Sequence, residues 1–164
     1  MPYDASIERL PIFALFDLKG APEDLSAWSD ALPAFPASAN TATRKGDTLL
    51  CHTGPNRWLL RAPLDQEDTL EAELRPAGAP PEISIVRISD TLTFFRITGQ
   101  EAAEILSIGC PMDLHPGVFR ADAASYTEFF GLKAFVTRCE GGFDCAVDQS
   151  FGDMIADYLS RAMA

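Results

Sequence analysis

The segment Ile83–Pro116, ISIVRISDTLTFFRITGQEAAEILSIGCPMDLHP, carries the signals that decide the fold. Ile83–Ile88 and Leu92–Ile97 are rich in β-branched and aromatic residues, which is typical of short strands. The second strand has apolar residues on both faces, and such strands are usually covered on both sides. The segment therefore predicts a central pair of strands joined at Ser89-Asp90-Thr91.

A helix and a stiff loop are predicted after these strands. Beyond Gly99, apolar residues recur at the i, i+3, i+4 spacing of one helical face: Ala102, Ile105 and Leu106. Gly109 predicts the end of this helix, because glycine readily takes the left-handed conformation that closes many helices. Cys110–Pro116 contains two prolines, which cannot continue a helix, so we expect a rigid exit loop.

The rest of the chain mixes strands and helices. Upstream, the patterns predict strands at Ile12–Leu18, Thr48–His52 and Arg57–Arg61, helices at 22–32 and Gln66–Leu74, and a loop over Pro33–Gly46. Downstream, they predict strands at Tyr126–Phe130, Ala134–Cys139 and Phe143–Val147, and a final helix capped by Ser150. Because strands and helices do not strictly alternate, the predicted class is α+β, with antiparallel sheets covered by helices.

Length and composition predict one domain or two small lobes. A chain of 164 residues buries roughly 70% of its unfolded surface. We therefore expect a single domain over residues 1–164. The segment 76–81 is rich in Pro, Ala and Gly, so it is the predicted connection if the chain forms lobes at 1–76 and 82–164.

The charge balance bears on partners. The formal net charge is −11, from 24 acidic and 13 basic residues. Binding to phosphate draws on clustered Lys and Arg, so nucleic acid and an anionic membrane surface are not expected partners. The acidity is interpreted as an aid to solubility, or alternatively as an acidic face that docks on a basic partner.

The amino-terminal sequence bears on location. Met1–Glu8 is acidic and lacks an apolar core, so we do not interpret it as a signal peptide. No apolar run approaches the ~20 residues that a membrane span needs. We therefore expect a cytoplasmic protein with reduced thiols.

The four cysteines, Cys51, Cys110, Cys139 and Cys145, lack the C-x-x-C spacing that favours zinc. Cys139 and Cys145 flank the predicted turn at Gly141-Gly142. A two-residue loop puts these two thiols on opposite faces, whereas a three-residue loop puts them diagonally on one face at a poor separation for a disulfide. We therefore predict buried free thiols.

Histidine and acidic side chains give weak candidates for chemistry. His52 adjoins Cys51, but strand neighbours point to opposite faces, which disfavours a Cys–His nucleophile pair. His115 is interpreted as a polar loop residue or an interface contact. Turn and cap roles account for Asp90, Asp113 and Asp148. Because the common nucleotide and hydrolase motifs are missing from the sequence, we predict no catalytic, cofactor-binding or metal-binding residue.

Three stretches of the sequence resemble the gamma subunit family of heterotetrameric sarcosine oxidase. They are Gly54–Leu60 (GPNRWLL), Gly109–Pro116 (GCPMDLHP) with Phe119, and Ser150-Phe151. The middle stretch is the most specific, because it is similar to the family's Gly-Cys-Pro-(apolar)-Asp-Leu-His-Pro run. The likeness extends from about Leu10 to Leu159.

The resemblance implies a subunit of a complex that oxidatively demethylates sarcosine to glycine with oxygen. Its partners would be the alpha, beta and delta subunits, which would carry FAD, FMN, NAD, folate and zinc, and this chain would carry no cofactor. The family's fold is similar to the folate-binding domain of the glycine-cleavage aminomethyltransferase. The resemblance implies a non-catalytic gamma subunit, and this agrees with the empty search for a site.

The sequence departs from the family in two places. Asp148-Gln149 stands where relatives tend to have Arg before the Ser-Phe pair, so no salt bridge is carried over there. Cys139 and Cys145 are not family features. The amine substrate, sarcosine or a related N-methylated amine, stays open.

One surface and three functions follow as hypotheses. A stiff loop loses little entropy on docking, so the expected partner interface is the loop formed by Cys110, Pro111, Met112, Asp113, Leu114 and His115. The first hypothesis is the non-catalytic gamma subunit. The alternatives are a free-standing folate-binding aminomethyltransferase-like module, which rests on fold analogy alone, and a self-associating domain of unrelated role.

Overall fold

The structure is a computed structural model that describes residues 3–164. The chain divides into two compact units, one formed by the segment up to Pro11 with Thr91–Ala164 and the other by Ile12–Asp90. We call them the terminal unit and the inner unit. Both contain antiparallel strands and helices, which confirms the predicted α+β class.

The inner unit is a five-stranded antiparallel sheet with two helices. Its strands are β2 (Phe13–Lys19), β3 (Ala42–Lys45), β4 (Thr48–Gly54), β5 (Arg57–Pro63) and β6 (Ser84–Arg87), and its helices are α1 (Pro22–Trp28) and α2 (Glu67–Leu74). The order in the sheet is β3-β4-β5-β2-β6. Trp58, Leu60 and Phe16 lie in its core.

The terminal unit has the same construction. Its strands are β1 (Ser6–Arg9), β7 (Leu92–Thr98), β8 (Ala124–Phe129), β9 (Leu132–Cys139) and β10 (Gly142–Asp148), and its helices are α3 (Ala102–Ser107) and α4 (Gly152–Ala162). The order is β1-β7-β10-β9-β8. Phe95 and Ile97 of β7 are buried in this core, and Phe94 on the opposite face is buried as well.

The two sheets correspond strand by strand. In each unit a strand and a helix precede a three-stranded meander and a second helix, and a short edge strand completes the sheet. The edge strand is β6 in the inner unit and β1, from the other end of the sequence, in the terminal unit. The chain therefore contains the same arrangement twice.

The predicted central strand pair is wrong. β6 pairs with β2 and β7 pairs with β1 and β10, so the two strands belong to different sheets. A three-residue hairpin usually ends with a residue of positive φ, and residues 89–91 contain none. Ser89 instead accepts a hydrogen bond from the amide of Leu15 at 3.1 Å, which continues the contact of this segment with β2.

Three further boundaries differ from the sequence prediction. The segment 76–81 lies inside the inner unit and contains a 3-10 turn, Pro76–Gly78, whereas the two units meet in sequence at Asp90–Thr91. The region predicted as a loop over Pro33–Gly46 contains β3, whose four residues are too few for a clear alternating pattern. The last hairpin turns at residues 140–141, one residue earlier than predicted.

Candidate functional site

The loop after α3 combines buried anchors with an exposed outer side. We call residues 109–119 the Gly-Cys-Pro loop. Cys110, Leu114 and Phe119 are buried in the core of the terminal unit. Pro111, Asp113 and His115 are exposed and Met112 is half-buried. The buried side chains thus anchor the loop in the core, and its exposed residues form a stiff outer surface, as the two prolines predict.

Arg138 on β9 holds the loop by its backbone. Its guanidinium donates hydrogen bonds to the carbonyl oxygen of Phe119 at 2.7 and 3.1 Å and to that of Leu114 at 2.9 Å. The same guanidinium carbon lies 4.4 Å from the ring centroid of Phe143. Hydrogen bonds from a charged donor are stronger than neutral ones, so this side chain fixes both ends of the outer segment.

Hydrogen bonds inside the loop stiffen it further. The Asp113 carboxylate accepts from the amide of His115 at 2.9 Å. The imidazole Nδ1 of His115 accepts from the amide of Gly117 at 3.0 Å. Asp113 therefore has the predicted turn role, and His115 is a loop residue with one ring nitrogen already engaged.

Gly109 is required for a reason other than the predicted one. Its φ is not positive, so it does not close α3 in the left-handed conformation. A Cβ at this position would lie 2.8 Å from the ring of Phe130, and the Phe130 amide donates to the Gly109 carbonyl oxygen at 2.8 Å. The glycine lets a hairpin tip pack directly on the chain where α3 becomes the loop.

The cysteines are free thiols, as predicted, but only Cys51, Cys110 and Cys145 are buried, whereas Cys139 is half-buried. Burial raises the pKa of Cys51 to about 12 and raises that of Cys145 as well. The thiol of Cys110 lies 3.7 Å from the hydroxyl of Thr127. Thiols that stay protonated at neutral pH are poor nucleophiles.

The geometry of the remaining candidates supports structural roles. Across the hairpin Cys51 faces Leu59 while His52 faces Trp58, so Cys51 and His52 point to opposite faces as predicted. Cys139 and Cys145 lie on opposite faces of their hairpin, which is the outcome of a two-residue loop. Asp90 is exposed in the turn between the units.

The predicted Ser150 cap is wrong. Asp148 instead caps the 3-10 turn Gln149–Phe151 that leads into α4, because its carboxylate accepts from the amide of Ser150 at 2.9 Å and from its hydroxyl at 2.5 Å. These hydrogen bonds lower the pKa of Asp148. The first residue before α4, Phe151, provides no side-chain cap. Asp153, three residues after Ser150, pairs with Arg9 at 2.7 Å.

A buried carboxylate that the sequence did not single out lies on β10. Asp144 is buried, and Arg96 on β7 binds it at 2.8 Å (Nε to Oδ1) and 2.9 Å (Nη2 to Oδ2). The hydrogen bonds that Arg96 donates to the Asp144 carboxylate raise the pKa of Arg96. Asp144 lies opposite Arg96 on the sheet face away from the core residues Phe143 and Cys145, and this pairing becomes informative only once the β7–β10 register is known.

The described residues provide no convergent acid–base or metal site. Over residues 3–164, no group of three His, Cys, Asp or Glu side chains is close enough to hold a metal ion. A groove of about 660 Å³ in the inner unit is lined by Trp28, Thr48 and Arg75 among others. Its Arg75 is already engaged, because it stacks on Trp28 and donates to the Trp28 carbonyl oxygen.

The comparisons with known proteins bear on family. The sequence profile of the sarcosine oxidase gamma subunit family matches residues 22–164. This chain belongs to that family. The comparison with curated protein sequences gives no match.

Two solved structures share the fold. One is the heterotetrameric sarcosine oxidase from Corynebacterium sp. U-96 in complex with pyrrole 2-carboxylate, with a TM-score of 0.82 and 23% identity over 97% of this chain and 83% of that one. The other is the glycine cleavage system aminomethyltransferase T from Bartonella henselae, with a TM-score of 0.75 and 16% identity over 96% of this chain. This chain spans only 46% of the aminomethyltransferase. The likeness to an aminomethyltransferase fold, expected from the sequence, is confirmed.

One structural feature bears on membranes. Among residues 3–164, no helix is both long and apolar enough to cross a lipid bilayer.

Proposed function

We propose that this chain is the non-catalytic gamma subunit of a heterotetrameric sarcosine oxidase, which oxidatively demethylates sarcosine to glycine. The observation that carries the proposal is the match of the gamma subunit family to residues 22–164. The fold shared with a subunit of the Corynebacterium enzyme supports it. The proposed partners are the alpha, beta and delta subunits, and the proposed place of assembly is the cytoplasm.

The Gly-Cys-Pro loop is the proposed contact with a partner subunit. Its exposed residues, Pro111, Asp113 and His115, are held by buried anchors and by Arg138, so docking immobilises few free side chains. An interface that is already ordered loses little entropy on association. This loop is also the segment in which the sequence most resembles the family.

The proposed complex carries its cofactors outside this chain. FAD, FMN, NAD, folate and zinc are assigned to the partner subunits. The donor sets that the described residues offer fit this assignment, because the cysteines are dispersed and the Asp113 carboxylate and the Nδ1 atom of His115 each accept a backbone hydrogen bond. In the proposed complex this chain shapes and supports the subunits that react.

Co-expression with the three partner subunits tests the proposal. The wild-type chain should co-purify in one assembly whose native mass equals the sum of four different subunits. His115→Ala removes an exposed loop side chain and its hydrogen bond from the Gly117 amide, so it should weaken assembly about tenfold and lower the thermal midpoint only slightly. Leu114→Ala removes a buried anchor and should lower both.

Two outcomes would argue against the proposal. A wild-type chain that does not bind the co-expressed subunits at micromolar concentration would show that it is not a subunit of such a complex. Unchanged assembly of His115→Ala would show that the loop serves internal packing instead.

The fold shared with the aminomethyltransferase favours a second candidate, a folate-binding module that acts alone. The chain spans less than half of that enzyme, which weakens this candidate. Calorimetry with tetrahydrofolate separates the two. The gamma subunit proposal expects no heat of binding from the isolated chain, whereas a free-standing folate module expects saturable heat and a raised thermal midpoint.

A further inference from the structure

A partly exposed apolar surface lies beside the Gly-Cys-Pro loop on the terminal unit, and its central ring, Phe130, is half-buried against the core. We define it as the aromatic tip surface, formed by Ile108, Phe130 and Tyr158. Ile108 is 50% exposed at the end of α3 and Tyr158 is 37% exposed on α4. The rings of Phe130 and Tyr158 meet edge to face with centroids 5.1 Å apart, and Phe130 packs on Gly109, the neighbour of Ile108. Phe130 and Tyr158 are thus in direct contact, and Ile108 adjoins them through its neighbour Gly109.

Phe130 is held in a conformation that a bulky residue rarely adopts. Phe130 and Gly131 form the two-residue turn between β8 and β9 with φ of +48° and +78°. Such turns favour Asn-Gly, and an aromatic residue at positive φ is strained. Strained residues of this kind persist where the surroundings hold them, and they cluster at functional sites. The fold thus keeps an aromatic ring at a hairpin tip where asparagine would fit with less strain.

The terminal unit is acidic, because its twelve Asp and Glu residues outnumber its six Lys and Arg residues. Five of the six basic residues are engaged within the unit: Arg9 with Asp153, Arg96 with Asp144, Arg161 with Asp157, Lys133 over Tyr126, and Arg138 with the loop. The sixth, Arg120, is exposed just after the Gly-Cys-Pro loop. Glu104 is exposed one helical turn before Ile108, and Asp113 is exposed in the adjoining loop. An occupant with Lys or Arg at its rim therefore gains Coulomb energy here.

We propose that the aromatic tip surface is a docking site for a partner subunit that presents apolar side chains within a rim of Lys and Arg. This inference rests on the proposed function. Stable interfaces combine an apolar core, enriched in Tyr and Phe, with a polar rim, which is the pattern on this side. A second copy of this chain is a poor occupant, because two surfaces of a chain with net charge −11 repel each other.

The test uses the co-expressed assembly and measures the fraction of this chain in the complex across a dilution series. Ile108→Lys puts a positive charge against the proposed basic rim and should weaken assembly about a hundredfold. Ile108→Glu removes the same apolar contact but keeps the favourable sign, so it should weaken assembly only about tenfold. Phe130→Asn suits the turn and preserves folding while it removes the ring, and it should also weaken assembly.

Leu64→Lys is the matched control. Leu64 is 47% exposed in a 3-10 turn of the inner unit, so the same change at similar exposure should leave assembly unchanged. Thermal midpoints of all variants within a few degrees of wild type would separate docking from folding. Raising the salt concentration should weaken the wild-type assembly, because exposed rim charges are screened.

The outcomes separate this inference from the proposed function. Wild-type assembly together with normal assembly of Ile108→Lys and Phe130→Asn would overturn the docking site and leave the gamma subunit role standing. A wild-type chain that never assembles would overturn both. A homodimer that Ile108→Lys disrupts would show that a second copy occupies the surface, which also overturns the inference.

Discussion

In both units of this chain the loop after the first helix is held in place, but by different side chains. In each, a loop runs from the first helix to the meander, and a residue near the end of the second meander strand reaches into that loop. In the terminal unit this residue is Arg138, whose amide donates to the Ala123 carbonyl oxygen at 3.0 Å. In the inner unit it is His52, whose amide donates to the Thr41 carbonyl oxygen at 2.9 Å.

The side chains at these equivalent positions hold their loops with interactions of different strength. Arg138 stacks on Phe143 and donates three hydrogen bonds to two loop carbonyl groups. His52 lies 5.3 Å from Trp58, edge to face, and accepts one hydrogen bond from the Asn40 amide at 3.2 Å. The strongly held loop is the one that carries the family-like sequence. We infer that its rigidity serves docking, whereas the weaker hold on the other loop suffices for folding.

A shared glycine position shows that the correspondence extends to the backbone. Gly20 follows β2 with φ of +142°, and Gly99 follows β7 with φ of +119°. A Cβ on Gly20 would meet Ile83 just before β6, and a Cβ on Gly99 would meet Asp4 and Ala5 just before β1. Both sites therefore combine a positive φ with a close approach to the edge strand, and only glycine meets both demands.

Arg138→Ala should have the largest effect on stability. It leaves the carbonyl groups of Leu114 and Phe119 without their charged donor and should lower the free energy of unfolding by about 2–4 kcal/mol. His52→Ala, the matched change in the inner unit, should lower it by about 1 kcal/mol. Urea denaturation followed by circular dichroism measures both. Equal losses of unfolding free energy in the two variants would show that Arg138 and His52 hold their loops equally strongly.

Gly109→Ala should be the next most damaging change. The added methyl group enters the ring of Phe130, and overpacking of this kind lowers the free energy of unfolding by about 1–3 kcal/mol. Gly54→Ala in the inner unit is the control, because its nearest neighbours are the Cβ and Cδ of Arg57 at 3.7–3.8 Å. A thermal melt of Gly109→Ala as stable as wild type would show that Phe130 moves freely at the hairpin tip.

Phe130→Asn should change stability little, because two effects oppose each other. The variant loses packing against Gly109 and Tyr158 but relieves the positive φ, and each term is about 1–2 kcal/mol. The net change in the free energy of unfolding should stay within about 1 kcal/mol in chemical denaturation. A much larger loss would mean that the ring belongs to the core and not to a surface.

The smallest expected effects are differences in the rates of thiol labelling. These rates report on each unit separately, because both units contain cysteines. Cys139 is half-buried and should react first with a thiol reagent at pH 8, whereas Cys51 and Cys145 are buried and protonated at that pH. Deprotonation of Cys51 costs more in the folded state because its pKa is about 12, so labelling requires local opening. Mass spectrometry of labelled peptides gives the order. In Arg138→Ala, Cys110 of the clamped loop should label faster while Cys51 keeps its wild-type rate.

The sequence predicted the positions of strands and helices better than it predicted which strands pair with each other. The pattern of Leu92–Ile97 correctly indicated a strand buried on both faces, because alternation depends only on neighbouring residues. It could not show that β6 pairs with β2 and not with β7, because pairing depends on residues far along the chain. The repeated arrangement of the two units was also hidden, because equivalent positions such as His52 and Arg138 carry different residues.

The candidate loop was visible in the sequence, but what holds it was not. The two prolines of Cys110–Pro116 predicted its stiffness. Arg138 lies 19 residues beyond Phe119 and gives no local signal of its role. Gly109 illustrates the same limit, since its need for glycine comes from the ring of Phe130 and not from its own backbone angle.

The native mass of the co-expressed complex tests the central claim most directly. The account predicts one assembly of four different subunits that contains this chain, that loses it in Arg138→Ala and that retains it in His52→Ala. A wild-type chain that elutes alone, or two variants that behave alike, would contradict the account.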